Sequence, residues 1–234
     1  MTMKEKRSNP LYINGINFSG NLKLKNNDET RFMIWNIPAV VTCPYRTPSC
    51  EKFCYARKAE RMYPSCNDAR QRNLEVTKAD NFAERMIYTI ETELTSKQFA
   101  GKKVLFRIHE SGDFYNTEYF EKWVNVARHF ENNKNIVFLA YTKSIIYAIN
   151  NGYGLPDHFP SNLVIRSSIW ADTRADLVEM TNAYNIPVYT ALSAHDMDVA
   201  EKNGLEFEKC RCEDCATCGK CWDNSIKTII TYIH

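Results

Sequence analysis

The stretch KVLFRIHESGDF, residues 103–114, joins a short apolar run to a polar loop, and this pattern decides the fold because it recurs along the chain. A segment with apolar residues at helical spacing follows it, at Phe120, Val124, Ala127 and Phe130. Further apolar runs alternate with helical patterns downstream, and one more lies upstream, at residues 31–39, 135–142, 162–170 and 186–193. Five short strands separated by helices predict βαβ units and a parallel, buried sheet, and therefore an α/β protein.

Composition and charge place the chain among ordinary globular proteins. It has 234 residues, 44% of them hydrophobic and 25% charged, and 30 basic against 28 acidic side chains leave a net charge of +2. That balance gives no overall basic field of the kind typical of nucleic-acid-binding proteins. No uncharged apolar run reaches the about 18 residues of a membrane span, and the charged start MTMKEKRSNP is unlike a signal peptide. We therefore expect no membrane association and a cytoplasmic location.

The chain divides into three segments by pattern. Residues 1–30 are polar and rich in Asn, which predicts a loose N-terminal arm or a short hairpin. Residues 31–204 hold the α/β core with a cysteine loop at 43–54, and residues 205–234 form a Cys-rich C-terminal segment. Within the core, residues 55–96 have a helical pattern, with Asn81 as a candidate N-cap.

The ends of the predicted strands are polar. They carry Cys43, then Glu110 to Asp113, Tyr141 to Lys143, Arg166 to Ser168 and Thr190 to His195. Carboxyl ends of parallel strands meet at one edge of a sheet or barrel, so these groups predict a single site there. The alternative interpretation of any single Asp or Ser among them is a cap on the helix that follows.

Nine cysteines fall into two groups, near either end of the core. They are Cys43, Cys50, Cys54 and Cys66, and then Cys210, Cys212, Cys215, Cys218 and Cys221. A disulfide scaffold is typical of small secreted chains, whereas this chain is larger, has an odd number of cysteines and shows no leader. Clustered thiols in a reducing compartment favour ligation of zinc or of an iron–sulfur cluster.

The first group has the spacing C-x6-C-x3-C in CPYRTPSCEKFC, residues 43–54. Three thiolates hold three irons of a 4Fe-4S cluster and leave the fourth iron open, which indicates chemistry at that iron. The alternative is a structural zinc site completed by Cys66 or a histidine, and spacing alone does not choose between the two metals.

The second group, in EKCRCEDCATCGKCWD, places Cys212, Cys215, Cys218 and Cys221 at three successive C-x2-C intervals. This run resembles the ferredoxin pattern that wraps a 4Fe-4S cluster, with a zinc knuckle as the alternative. Cys66 and Cys210 are then spare, or Cys210 replaces one of the four. In a third arrangement, one of these thiols crosses over and closes the open iron of the first cluster.

Several segments together resemble the gene 88 family of phage proteins over most of residues 32–222. They are CPYRTPSCEKFCYARKAERMYP, RQRN at residues 70–73, RIHESGDF, FLAYTKS and the terminal C-x2-C-x2-CW. The cysteine loop ending in Cys-Tyr-Ala after the first strand also resembles a variant of the radical SAM superfamily, whose usual spacing is C-x3-C-x2-C. Here Cys50 and Cys54 keep the x3 interval, Arg57 stands where the third cysteine is usual, and Cys43 supplies the third thiol from upstream.

The resemblance implies a fold, a cofactor and site residues. The fold is a radical-SAM-like partial (β/α) barrel with a Cys-rich C-terminal extension, carrying one or two 4Fe-4S clusters. The open iron would bind S-adenosylmethionine (SAM), whose homolytic cleavage gives a 5'-deoxyadenosyl radical that acts on an unknown substrate. Ser111, Gly112 and Asp113 would bind the SAM amino group, and Arg166 and Ser167 its carboxylate and ribose. A flavodoxin or ferredoxin would supply the electron.

A non-catalytic interpretation stands beside the enzyme. The chain would then be a zinc- or cluster-containing binding module of phage origin that recognises nucleic acid or a host protein. Short basic stretches near residues 4–7, 23–25 and 57–61, and the aromatic residues Tyr45 and Tyr55, are the features that favour it.

Overall fold

The seven strands found in the computed structural model form one parallel sheet. The model describes residues 1–17, 24–155, 158–210 and 214–232. In these ranges the strands are β1 (Thr30–Trp35), β2 (Lys103–Ile108), β3 (Ile136–Thr142), β4 (Leu163–Ile169), β5 (Val188–Leu192), β6 (Glu208–Lys209) and β7 (Thr228–Tyr232). Their order is β1-β2-β3-β4-β5-β7-β6, every neighbouring pair is parallel, and the sheet curls into a half-barrel. The prediction of an α/β protein with a parallel sheet is confirmed.

Helices connect the strands, as the alternating pattern predicts. They are α1 (Met3–Arg7), α2 (Pro48–Lys52), α3 (Tyr55–Met62), α4 (Pro64–Thr77), α5 (Phe82–Leu94), α6 (Thr117–His129), α7 (Ile145–Asn150), α8 (Ala175–Ala183), α9 (Ala194–Lys202) and α10 (Cys215–Cys218). Asn81 is the N-cap residue of α5, although its side chain makes no capping hydrogen bond. No helix in the described ranges is long and apolar enough to cross a bilayer.

The main hydrophobic core lies between the convex face of the sheet and the helices. The apolar residues predicted at helical spacing in α6 are buried at Phe120, Val124 and Ala127. They pack with side chains of β2 and β3 such as Phe106 and Phe138. Burial of each such large apolar side chain stabilises the fold by roughly 1.5–3 kcal/mol. The convex face of the sheet is therefore covered by the helices and forms the main core.

The described part of the N-terminal segment is docked on the core. The Arg7 guanidinium and the Tyr12 hydroxyl both donate hydrogen bonds to the buried Glu93 carboxylate of α5, at 2.7 Å each. Ile13 and Ile16 are buried in the main core. The expectation of a loose arm is therefore wrong for residues 1–17, because buried apolar residues follow the polar start.

The C-terminal cysteine segment belongs to the sheet. Strand β7 pairs with β5, and β6 pairs with β7 at the sheet edge. Residues 214–222 lie on the concave face, where Cys215 and Trp222 pack against a small cluster of Leu24, Phe32, Ile34 and Leu105. The predicted extension is thus two strands of the same sheet and the connection between them.

Candidate functional site

A cavity of about 520 Å³ opens at the carboxyl ends of the strands on the concave face. Cysteines from both groups line it, namely Cys43, Cys50 and Cys54 from the first and Cys210, Cys215 and Cys221 from the second. The loops after β1 and β2 and residues of β3, β4, β5 and β7 complete its walls. Two groups that are far apart in sequence therefore share one site.

Two short helices set the positions of the first cysteines. The Thr47 hydroxyl accepts a hydrogen bond from the Cys50 amide and caps α2, which has Pro48 at its first turn. The Cys54 thiol accepts a hydrogen bond from the Arg57 amide and caps α3. The spacing of Cys50 and Cys54 thus follows from one helix ending and the next beginning.

The thiols of the first group influence one another's ionisation. Burial raises the pKa of Cys43 to about 12, and the nearby charges of Asp113, Cys50 and Cys54 act in the same direction. Burial also raises the pKa of Cys50, and the Lys143 ammonium opposes that rise. The raised pKa values of Cys43 and Cys50 favour the protonated thiols, so a ligand that binds these two as thiolates must displace protons.

The loop after β2 is docked against the loop that carries Cys43. The Asn36 Oδ1 accepts hydrogen bonds from the backbone amides of Glu110 and Ser111, at 2.8 and 3.0 Å. Ser111 donates from its hydroxyl to the Ile37 carbonyl at 2.9 Å. Gly112 has a φ of +82°, and a Cβ placed there would lie 2.4 Å from Ile37 Cγ1. Glycine therefore permits the close packing of the two loops.

Asp113 joins the end of β2 to the end of β3. Its buried carboxylate accepts hydrogen bonds from the Thr142 hydroxyl at 2.5 Å and from the amides of Phe114 and Lys143 at 2.7 and 3.0 Å. Burial raises the pKa of Asp113 despite these donors. The cap of α6 is Asn116. The alternative interpretation of Asp113 as that cap is therefore wrong.

Arg166 and Ser167 have other partners. The Arg166 guanidinium is fully buried and donates to four backbone carbonyls of the cysteine segment, those of Lys220, Cys221, Asp223 and Ile226. The Ser167 hydroxyl is hydrogen-bonded to Thr181 of α8 at 2.9 Å. Neither residue lines the cavity. Both side chains are thus engaged within the protein, away from the cavity, and their implied contacts with a carboxylate and a ribose stay a prediction.

A cluster of cationic and aromatic side chains forms the floor of the cavity. The Arg107 guanidinium lies 3.5 Å from the centre of the Tyr141 ring, which stacks on Tyr189 at a centroid distance of 4.3 Å. Tyr141 is also hydrogen-bonded to Cys221, and this bond opposes the burial that raises the pKa of the thiol. Arg107 and Tyr189 are not among the site residues that the sequence pattern predicts. A charged residue inside the otherwise apolar strand β2 was the available signal for Arg107.

The remaining cysteines differ in their placement. Cys210, predicted to be spare or to replace one of the four ligands, lines the cavity, whereas Cys218 lies in α10 outside its lining. Cys66 lines a second cavity, beside helix α4, and not the cysteine-lined one. Cys212 lies outside the described residues. Within the described ranges, no set of three or more Cys, His, Asp or Glu side chains is grouped as ligands of a single metal ion.

Comparison with known proteins identifies the family. The sequence model for Gene product 88 matches residues 6–224. The chain belongs to the gene product 88 family. Two curated relatives are the Gene 88 proteins of Mycobacterium phage D29, 30% identical over 105 residues, and of Mycobacterium phage L5, 31% identical over 107 residues.

Each of these alignments covers 44% of this chain, and 42% and 43% of the two gene 88 relatives, so less than half of each relative is matched. No solved structure matches the chain. The predicted resemblance to the gene 88 family is confirmed by these findings.

Proposed function

We propose that this member of the gene 88 family is an iron–sulfur enzyme of the radical SAM type, acting on a substrate still to be identified. The observation that supports the proposal is the placement of Cys43, Cys50 and Cys54 around one cavity at the carboxyl ends of parallel strands. A loop containing Gly112 and Asp113 lines the same cavity. This is the edge of an α/β sheet where ligands bind in general.

The donor set of the first loop fits a 4Fe-4S cluster. Three soft thiolates would hold three irons and leave the fourth to the cofactor SAM. When bound, the cluster and SAM supply the one-electron chemistry that begins hydrogen abstraction from the substrate. The cavity of about 520 Å³ lies in the range of volumes that proteins use for cofactors and small ligands.

Asp113 is positioned to bind an ammonium group beside the first cysteine loop. Its two oxygens offer about four acceptor positions, and the hydroxyl of Thr142 and the amides of Phe114 and Lys143 occupy three of them. One position remains for a ligand. Because those three donors fix the carboxylate, little ordering is needed when an ammonium binds.

Aromatic and cationic side chains would exclude water and orient the occupant. Arg107 and Tyr141 line the floor, and Trp170 lines the rim, where its ring is stacked with Phe53. Lys143 donates to the Ser168 hydroxyl at 2.9 Å, which holds its ammonium at the cavity wall. Exclusion of water by these side chains and the bound ligand would strengthen polar contacts within the cavity.

The second cysteine group would hold an auxiliary cluster that faces the same cavity. Cys212, Cys215, Cys218 and Cys221 are the proposed ligands, and Cys210 replaces one of them in the alternative set. A cluster there would relay electrons or anchor the substrate. Because both groups share one cavity, the two sets of thiols must be separated by experiment.

Metal analysis of anaerobically reconstituted protein tests the proposal. We expect iron and acid-labile sulfide, with about half of the iron lost when Cys43, Cys50 and Cys54 are replaced by Ala. Cys66→Ala is the matched control and should keep all of the iron, since Cys66 lines a different cavity. Stoichiometric zinc without sulfide would overturn the proposal and favour the binding module. Loss of all the iron in the triple variant would show that the two groups are not independent.

Electron paramagnetic resonance of the reduced cluster tests cofactor binding. Addition of SAM should change the spectrum of the wild-type protein. Asp113→Asn should weaken SAM binding about ten- to a hundred-fold, which corresponds to one charge-assisted hydrogen bond of roughly 1.5–3 kcal/mol. Asp68→Asn, a change at an exposed position of α4, should have no effect. A wild-type spectrum that SAM leaves unchanged would contradict the radical SAM assignment.

A further inference from the structure

A second cavity, of about 490 Å³, lies between the N-terminal segment and helix α4. Three arginines line it, Arg70, Arg72 and Arg85, and four asparagines lie among the other lining residues. None of the described residues that line it is Asp or Glu. The cavity is therefore cationic and rich in hydrogen-bonding amides.

Two of the three arginines have no acidic partner among the described residues. Arg70 is paired with Glu60 at 2.9 Å. Arg72 and Arg85 form no ion pair within the described ranges, and the Arg85 Nε is buried without a hydrogen-bond partner there. A buried donor without an acceptor is unfavourable, and the oxygens of an anion would supply the missing acceptors.

Asn36 and Asn73 present polar atoms in the wall of the same cavity. The Asn73 Nδ2 donates to the Asn36 carbonyl at 2.7 Å and to the Gly15 carbonyl at 3.3 Å, and the Asn36 Oδ1 accepts from two amides of the loop after β2. These bonds fix both side chains. The Asn36 Nδ2 and the Asn73 Oδ1 then offer one donor and one acceptor for which no partner is seen in the described part of the chain.

We infer that this cavity binds a small molecule that carries a phosphate group. Arg72 and Arg85 would bind the phosphate, because guanidinium groups match its oxygens in bidentate geometry. The asparagine amides would bind a polar body such as a sugar, which needs donors and acceptors together. A volume of about 490 Å³ exceeds the need of an inorganic ion and is typical of small-ligand sites.

The second cavity shares a wall with the cysteine-lined cavity. Glu60, the partner of Arg70, accepts hydrogen bonds from the Ala39 amide at 2.8 Å and from the Ser111 hydroxyl at 3.3 Å. Ala39 and Ser111 both line the cysteine cavity. The phosphate site nevertheless has its own residues, so the inference does not depend on the proposed iron–sulfur function.

Calorimetric titration of the full chain with inorganic phosphate and with ribose 5-phosphate tests the inference, at constant ionic strength and with ribose as the uncharged control. We expect both phosphates to bind, ribose 5-phosphate more tightly, and ribose not at all. Arg72→Gln and Arg85→Gln should each weaken binding about ten- to a hundred-fold. Arg72 is exposed, so its replacement leaves the fold intact.

Arg61→Gln is the matched control, because Arg61 is an exposed arginine of α3 that lines neither cavity. It should bind phosphate as the wild type does. Absence of phosphate binding, or equal weakening by Arg61→Gln and Arg72→Gln, would overturn the site. Equal affinity for inorganic phosphate and ribose 5-phosphate would overturn the assignment to a phosphorylated small molecule.

Discussion

Replacement of Arg166 by Met should destabilise the protein strongly. The guanidinium donates four hydrogen bonds to carbonyls of residues 220–226, at 2.6 to 3.2 Å. At roughly 1.5–3 kcal/mol for each charged hydrogen bond, the four total about 6–12 kcal/mol. Water will reach some of the freed carbonyls, and removal of a buried cation relieves its desolvation cost. We therefore expect a net loss of about 3–5 kcal/mol, typical of breaking a buried charged network.

Urea denaturation followed by tryptophan fluorescence measures this loss, and thermal unfolding should show a decrease in Tm of about 6–20 °C for a chain of this size. The free energy of unfolding of Arg166→Lys should lie between those of the wild type and Arg166→Met, because an ammonium group cannot reach all four carbonyls at once. Arg61→Met, a change at an exposed arginine, is the control. A free energy of unfolding for Arg166→Met within about 1 kcal/mol of wild type would refute the assignment of Arg166 as the anchor of the cysteine segment.

Two further predictions concern the loop after β2. Gly112→Ala should lower the free energy of unfolding by about 2–5 kcal/mol, from left-handed backbone strain and overpacking against Ile37. Gly101 is the control, because its φ is +72° and a Cβ there would meet no atom within 4 Å. Gly101→Ala should lower the free energy of unfolding by only about 1–2 kcal/mol in the same denaturation assay. Equal losses for the two glycine variants would contradict the close packing of Gly112 against Ile37. Burial lowers the pKa of His109 to about 3 in the folded state. Stability should therefore fall as the pH decreases from about 6.5 to 3, by up to about 1.4 kcal/mol per pH unit, because only the unfolded state binds the proton. The free energy of unfolding of His109→Asn should fall less steeply over the same pH range, by that amount, because Asn does not titrate. Asn also tolerates the left-handed φ of +62° at this position. Parallel pH curves for the wild type and the variant would exclude this role for His109.

The parallel sheet could be predicted from the sequence as far as β5. Each of the first five strands is an apolar run followed by a helical pattern, and such local patterns depend on neighbouring residues only. Strand β6 has two residues, and its place at the edge depends entirely on pairing with β7. Strand β7 follows a cysteine run whose described residues hold only the four-residue helix α10 and a 3-10 turn at Lys220–Trp222, so no long helical pattern precedes it. Their positions depend on long-range pairing, which local patterns do not encode.

The candidate site was predictable in its residue types and less so in its contacts. Cysteine spacing and Gly112 identified elements that do line the cavity. Arg166 lies inside β4 and faces the concave side, where residues 220–226 cover it, so its partners come from residues more than fifty positions later in the chain. The sequence pattern does not predict Arg107 as a site residue, because it lies within an apolar run typical of a core strand.

The pairing of β6 with β7 has a consequence for the order in which the protein is made. Strand β6 has β7 as its neighbour in the sheet, and β7 follows it by about twenty positions in the chain. During synthesis, Cys210 and the thiols after it leave the ribosome before the strand that sets their place exists. The first cysteine loop, by contrast, follows β1 and can dock on β2 much earlier. A chain stopped short of Thr228 would therefore leave the second group of thiols without its sheet position, exposed to oxidation, while the first loop was already in place.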